Sequence, residues 1–194
     1  MNYLRKLYDW TLIKSRHPNA TWFLGFISYI ESSFFPIPPD LLLLPMALAR
    51  PLKWLRLAII TTFFSVLGGI FGYFIGAFLF DEVGYPVLNF LGKGAMAIEF
   101  NSRFNDLGFW PVLIAGLTPI PYKIVTITSG WASVPLTTFI VASIISRGIR
   151  FFIVAMLLWL YGEKINKFIQ TWMNVLFILF IIILIGGFGM LKIL

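Results

Sequence analysis

Two stretches of sequence decide the fold: PIPPD at residues 36–40 and PIPYK at residues 119–123. Each lies inside an apolar run, the first over residues 21–49 and the second over residues 107–132. Proline lacks a backbone donor and clashes with the preceding turn, so neither run can form one continuous helix. The halves on either side of a break are too short to cross a hydrocarbon core of about 30 Å. Each run therefore predicts a re-entrant helical hairpin, with its breaks at Pro36, Pro38, Pro39, Pro119 and Pro121.

The composition places the whole chain in a membrane. Of its 194 residues 59% are hydrophobic and 12% are charged, against roughly 45–50% and about 25% in soluble domains. This excludes a soluble enzyme, a disordered chain and a disulfide-stapled secreted domain. With no cysteine and one histidine, metal sites built on those ligands are excluded too. We expect an all-α integral membrane protein without cofactor or metal.

Long apolar runs between and after the hairpins predict transmembrane helices. Two of them are uncharged, and the third, over residues 136–161, contains Arg147 and Arg150. The chain is expected to form one membrane domain over residues 1–194. Its predicted segments are an interfacial basic helix (1–17), re-entrant hairpin 1 (20–49), a transmembrane helix (55–80), an outer surface segment (81–106), re-entrant hairpin 2 (107–132), a second transmembrane helix (135–161) and a C-terminal transmembrane helix (168–191).

One predicted crossing separates the two proline stretches, so the second copy would lie upside down relative to the first. The sequence thus predicts an inverted repeat of hairpin plus transmembrane helix, with an extra C-terminal helix, an arrangement typical of transporters. Most basic residues then fall on cytoplasmic segments if the N-terminus is cytoplasmic. A chance match of the two stretches, and a five-span topology with the basic cluster at residues 50–56 outside, are the alternatives.

Five charged residues fall at membrane depth: Glu31, Asp40, Lys123, Arg147 and Arg150. Each costs about 2.5–3.5 kcal/mol at the bilayer centre, so they must meet one another, water or a ligand. An inverted repeat would bring Asp40 and Lys123 together, and the two arginines share one helix face. The surplus positive charge predicts a phosphate-bearing lipid bound by Arg147, Arg150 and Lys123. Glu31 and Asp40 would take a coupling proton or ion.

Small residues recur on the first predicted transmembrane helix. Gly68, Gly72 and Gly76 are four residues apart, which places them on one face and predicts close approach of another helix.

The charged motifs resemble those of a known family. ESSFFPIPPD at residues 31–40, GLTPIPYK at 116–123 with Gly130, and SRGIRF at 146–151 are similar to the DedA family of bacterial inner-membrane proteins. That family is part of the VTT (SNARE-associated Golgi protein-like) superfamily, and the chain looks most like its small YqaA-type branch. The resemblance implies two facing re-entrant hairpins and movement of undecaprenyl phosphate or phospholipid, driven by proton or sodium gradients. Eukaryotic relatives are lipid scramblases.

Only part of the family's charge pattern is present at the corresponding positions of this sequence. The family's acidic pair matches Glu31 and Asp40, whereas its basic pair in the second hairpin matches only at Lys123, with Leu117 at the other position. Either Arg147 and Arg150 supply the missing charge or the cargo differs.

The predicted function is lipid transport by a flippase or scramblase in the bacterial inner membrane. A multi-pass protein with a cytoplasmic N-terminus would translocate polyprenyl phosphate or phospholipid, coupled to a proton or sodium gradient. Membrane lipids are the expected partners, nucleic acid is not, and a homo-oligomer is left open. The alternative is a non-transporting membrane- or envelope-organising protein whose buried charges are structural pairs. A lipid-modifying enzyme is disfavoured because no nucleophile–base pair is evident, so we expect no enzyme activity.

Overall fold

The computed structural model of the chain describes residues 19–34, 38–90, 102, 104, 107–118 and 121–193, with the backbone alone for residues 83, 87–89, 163, 166 and 169–193. These ranges are helical and contain no strand, which confirms the predicted all-α class. The predicted interfacial helix over residues 1–17, Pro36, Pro119 and much of the predicted outer segment lie outside the described residues.

Three helices form the first half of the described chain. α1 (Ala20–Ser33) ends just before the first proline stretch, and α2 (Asp40–Ala49) begins directly after it. Asp40 lies in the first turn of α2, where the helix dipole favours a carboxylate. A 3₁₀ turn, Pro51–Lys53, leads into α3 (Trp54–Leu79), which is 26 residues long.

The second half also contains short helices and ends in a long one. α3 continues into a π-helical turn (Phe80–Gly84) and α4 (Tyr85–Phe90). α5 (Phe109–Leu117) and α6 (Tyr122–Trp131) flank the second proline stretch. α7 (Leu136–Ile193) follows, and non-helical dihedral angles at Tyr161 (φ −123°, ψ 16°) divide it into two parts.

Among the described residues, two helices are long and apolar enough to cross a membrane: Pro51–Glu82, with 32 residues, and Leu136–Gly162, with 27 residues. By contrast α1, α2, α5 and α6 have 14, 10, 9 and 10 residues. Each is shorter than the roughly 20 residues that a perpendicular crossing needs. The proline stretches thus separate helices that are each too short to span.

α3 is the helix on which α1 and α6 converge, and its glycines make this possible. A Cβ atom added to Gly68 would overlap the backbone carbonyl oxygen of Tyr29 on α1, and one added to Gly76 would overlap that of Ile127 on α6. Between them, a Cβ at Gly72 would lie 2.5 Å from a hydroxyl of α6 and 3.3 Å from a carbonyl oxygen of α1. The close helix approach predicted from the glycine spacing is confirmed.

The buried apolar side chains form two clusters that share α7. One joins α7 residues such as Phe139 to α3, α5 and α6, and the other joins Phe151 and Leu158 to α1, α2 and α3. The first cluster therefore anchors α7 to the second pair of short helices, and the second cluster anchors it to the first pair. Arg147 and Arg150 lie on the stretch of α7 between Phe139 and Leu158, where these two clusters meet.

Candidate functional site

The site is built around Arg147, the most enclosed charged residue described. Arg147 is 1% exposed, and its Nη2 donates to Glu31 Oε2 at 2.9 Å. The Glu31 side chain is 13% exposed. This ion pair joins α1 to α7 at a depth where neither charge could be stable alone.

Two serines close a ring of hydrogen bonds around this ion pair. Arg147 Nε donates to Ser65 Oγ at 2.6 Å, the Ser65 and Ser32 hydroxyls are 2.7 Å apart, and Ser32 Oγ donates to Glu31 Oε2 at 3.2 Å. Since Ser65 accepts from the arginine and Ser32 donates to the carboxylate, the remaining bond runs from Ser65 to Ser32. Every hydroxyl then donates once and accepts once, which is the satisfied state that a buried polar network requires.

Aromatic rings complete the enclosure of Arg147. Its Cζ lies 4.7 Å from the ring centre of Tyr122 and 4.6 Å from that of Phe151, both within cation–π range. The Tyr122 hydroxyl in turn donates to Ser143 Oγ at 2.5 Å. Because Tyr122 is the first residue of α6, the second pair of short helices also holds this arginine.

Arg150, one helical turn further along α7, has a more open environment. Its Nη2 donates to Asp40 Oδ2 at 2.6 Å, and the side chains of Arg150 and Asp40 are 25% and 21% exposed. Its Nη1 donates to the backbone carbonyl of Thr118 at 3.3 Å. Asp40 follows the first proline stretch, and Thr118 precedes the second. One guanidinium therefore connects the two breaks.

A pocket of about 350 Å³ opens beside Arg150. It lies between the end of α5 and one face of α7, and its lining residues are Leu117, Thr118, Ile149, Arg150, Ile153 and Val154. Two buried oxygen atoms near this arginine, Thr118 Oγ1 and Asp40 Oδ1, have no hydrogen-bond partner among the described residues. The guanidinium beside the pocket and the Thr118 hydroxyl can donate to an anionic ligand, whereas the Asp40 oxygen is an acceptor and opposes one.

The structure brings together four of the five predicted charges as two ion pairs. Asp40 pairs with Arg150; its predicted position opposite Lys123 stays a prediction. Lys123 is half-buried in the first turn of α6, next to Tyr122. Pro38, Pro39 and Pro121 lie at the starts of α2 and α6; that these breaks form re-entrant hairpins stays a prediction. Phosphate binding and ion coupling by these charges stay predictions.

Sequence reasoning missed the neutral partners of Arg147. Ser32, Ser65 and Tyr122 hold its guanidinium, yet serine is common in membrane helices and a tyrosine after proline has no distinctive pattern. One signal was available: Ser32 directly follows an acidic residue inside an apolar run. Among the described residues no group of three or more His, Asp or Glu side chains could hold a metal ion.

Comparisons with known proteins agree with the predicted family. A profile of the VTT domain family matches residues 35–160. An uncharacterized protein of Haemophilus influenzae is 39% identical over 158 residues, which cover 81% of this chain and 82% of that protein. A protein of Histophilus somni described as an uncharacterized HI0703 homolog is 34% identical with the same coverage. No solved structure gives a significant match.

Proposed function

Because this chain belongs to the VTT domain family, we propose that it translocates phosphate-bearing lipids across the bacterial inner membrane. The family and the two long apolar helices make it a membrane protein. The cargo would be a phospholipid or a polyprenyl phosphate, and its movement would be coupled to a proton or sodium gradient. The N-terminus would lie in the cytoplasm.

The observation that carries this proposal is the pair of carboxylate–arginine contacts at membrane depth. Glu31–Arg147 and Asp40–Arg150 each join the first pair of short helices to α7. When Asp40 takes up a proton, Arg150, the more open of the two arginines, loses its counter-charge and can bind a phosphate instead. The carboxylate and the lipid phosphate would thus compete for the same guanidinium, and uptake of a proton or ion by the carboxylate would favour the phosphate. Lys123 would add positive charge from the second pair of short helices.

The re-entrant, inverted-repeat topology is part of the same proposal. It is supported by the four short helices, each next to a proline stretch, and by the direct meeting of α1 and α6. Thr126 Oγ1 on α6 donates to the Ser32 carbonyl on α1 at 3.2 Å, and both helices lie on the glycine face of α3. Two half-depth hairpins that meet at the bilayer midplane could rock between the two faces of the membrane.

Purified protein in proteoliposomes tests the proposal. A fluorescent phospholipid in the outer leaflet reports translocation as it becomes protected from a membrane-impermeant quencher. We expect Asp40→Asn to insert normally and to lose most of the translocation. Asp81→Asn is the matched control, since the same chemical change falls on an exposed residue whose hydrogen bond within the described part of the chain comes from Trp131. Equal translocation by the unaltered protein, Asp40→Asn and protein-free vesicles would refute the proposal.

A second candidate function is favoured by the complete enclosure of Arg147. A membrane-organising protein whose charges are purely structural would enclose its arginine in this way, with hydrogen bonds to serines and aromatic rings on both sides. Exchanging the partners of the more open pair, Asp40→Arg with Arg150→Asp, distinguishes the two functions. Transport should be lost after the exchange, because the ligand-binding cation has moved to another helix. A structural pair should tolerate it.

A further inference from the structure

We propose that the pocket beside Arg150 is a binding site for a single-chain portion of a phosphate-bearing lipid. The phosphate would lie on the Arg150 guanidinium, and the adjoining carbon chain would lie along the apolar wall of the pocket. Arg147 would not contact the lipid and would act as a positioning residue. This inference rests on the proposed function and specifies where and how the lipid binds.

Arg147 is excluded as a lipid contact by its surroundings. Its Nε and Nη2 donate hydrogen bonds to Ser65 and Glu31, and the rings of Tyr122 and Phe151 cover its guanidinium. With an exposure of 1%, no ligand reaches it while this packing is intact. Its function is to hold α1 against α7, which fixes the stretch of α7 that carries Arg150.

Arg150, unlike Arg147, has N–H donors that a ligand can reach. A guanidinium carries five N–H donors, and the described hydrogen bonds of Arg150 go to Asp40 and to the Thr118 carbonyl. Donors are therefore left for a second anion, and the pocket gives access to them. The buried Thr118 hydroxyl, which has no partner, adds a neutral donor at the rim of the pocket, where a phosphate oxygen could accept its proton.

The rest of the pocket suits a hydrocarbon chain. Leu117, Ile149 and Ile153 are 42%, 45% and 47% exposed and form a half-open apolar wall. Ile149 and Ile153 lie on α7, a helix long enough to cross the membrane, and Leu117 is the last residue of α5. A volume of about 350 Å³ equals roughly a dozen water-sized groups at about 30 Å³ each. That is enough for a phosphate and the first part of one chain, with the remainder in the surrounding lipid.

Asp40 is then an internal competitor of the lipid. Its carboxylate occupies Arg150 Nη2 at 2.6 Å, and a lipid phosphate would need that donor for bidentate binding. Neutralising Asp40 should therefore tighten lipid binding, whereas neutralising Arg150 should abolish it. Asp40→Asn would bind the lipid more tightly and yet transport it less, because release of the lipid needs the returning carboxylate.

Cysteine labelling tests the site directly, since the chain contains no cysteine. Ile153→Cys places a thiol in the pocket. Ile144→Cys is the matched control, because it lies nine residues earlier, two and a half helical turns, on the opposite face of α7, and is 51% exposed. The labelling rate with a maleimide is measured in detergent with oleoyl lysophosphatidic acid, with monooleoylglycerol, or with inorganic phosphate.

We expect lysophosphatidic acid to slow labelling at position 153 several-fold and to leave position 144 unchanged. Monooleoylglycerol and inorganic phosphate should not protect, since each lacks half of the ligand. Adding Arg150→Gln should remove the protection, and adding Asp40→Asn should reduce the lipid concentration needed by about tenfold, the value of one extra charge-assisted contact.

The outcomes separate this inference from the proposed function. Protection by monooleoylglycerol alone, or protection that survives Arg150→Gln, would overturn the phosphate site. Protection by inorganic phosphate alone would overturn the lipid assignment. Absence of protection at position 153 in a protein that still translocates lipid would refute the pocket and leave the proposed function standing. Protection without any translocation in proteoliposomes would support the pocket and refute transport.

Discussion

Replacing Arg147 with methionine removes the positive charge from the centre of the site while keeping an unbranched side chain of similar length. The change breaks the hydrogen bonds to Glu31 at 2.9 Å and to Ser65 at 2.6 Å, and it removes the cation from between two rings. Glu31, 13% exposed, is left as an uncompensated charge. Removing one partner of a buried ion pair costs about 3–5 kcal/mol. We expect the free energy of unfolding to fall by that amount.

The double variant Arg147→Met with Glu31→Leu should recover most of this loss. Replacing both partners of a buried pair with apolar residues is often neutral or stabilising, and Ser65 and Ser32 can still hydrogen-bond to each other. Glu31→Leu alone should be as harmful as Arg147→Met alone, because it leaves the arginine without its anion. The two substitutions should therefore be strongly non-additive, with a coupling energy of about 3 kcal/mol or more.

Equilibrium unfolding in mixed detergent micelles, followed by circular dichroism, measures the four proteins of this cycle. Arg150→Met is a matched comparison on the same helix. Its ion pair with Asp40 is about a quarter exposed, so the loss should be distinctly smaller. Additive effects of the two single substitutions, or a loss below about 1 kcal/mol for Arg147→Met, the range of a surface pair, would refute the structural role given to this residue.

Three further predictions concern the close packing of α1 on α3, the hydrogen bond from Arg147 to Ser65, and the membrane topology. Gly68→Ala should lower the free energy of unfolding by about 1–3 kcal/mol, because the added methyl overlaps a carbonyl oxygen of α1. Gly148→Ala is the control: its methyl would come no closer than 3.9 Å to its nearest neighbour, so the change should be neutral or slightly stabilising. Thermal unfolding compares the two variants. Ser65→Ala should cost about 1–3 kcal/mol because a buried guanidinium N–H loses its acceptor, and Ser65→Thr should restore most of it in the same assay. A membrane-impermeant maleimide added to whole cells should label Glu82→Cys and spare Leu52→Cys. The reverse pattern would refute the predicted topology, since it requires either an outside N-terminus or the five-span alternative.

The helix boundaries could be predicted from sequence because they depend on local chemistry. Proline fixes its own backbone angle and removes a donor wherever it occurs, so α1 and α5 end before a proline stretch and α2 and α6 begin after one. The packing face of α3 was predictable for a similar reason. Glycines four residues apart lie on one side of any helix, and that side is where α1 and α6 approach.

The pairing of the charges could not be predicted in the same way. Glu31 and Arg147 are 116 residues apart in sequence, and Asp40 and Arg150 are 110 apart. Which carboxylate meets which cation depends on how far each helix is rotated and shifted in the packed fold. The symmetry of the two proline stretches favoured Asp40 opposite Lys123, but α7 packs against α2 and α5 and supplies its own arginines. No period or motif in the sequence records that packing.

The same long separations have a consequence for biosynthesis. Both acidic partners leave the ribosome more than a hundred residues before the arginines that bind them, a delay of roughly 5–20 s at about 5–20 residues per second. During this time a carboxyl group can wait in the bilayer as the neutral acid, an option that arginine does not have. The permanent cations are thus made last, when their acceptors are already in place. Moving the arginines ahead of the acids by circular permutation would reverse this order and should reduce the yield of inserted protein even if the final packing were unchanged.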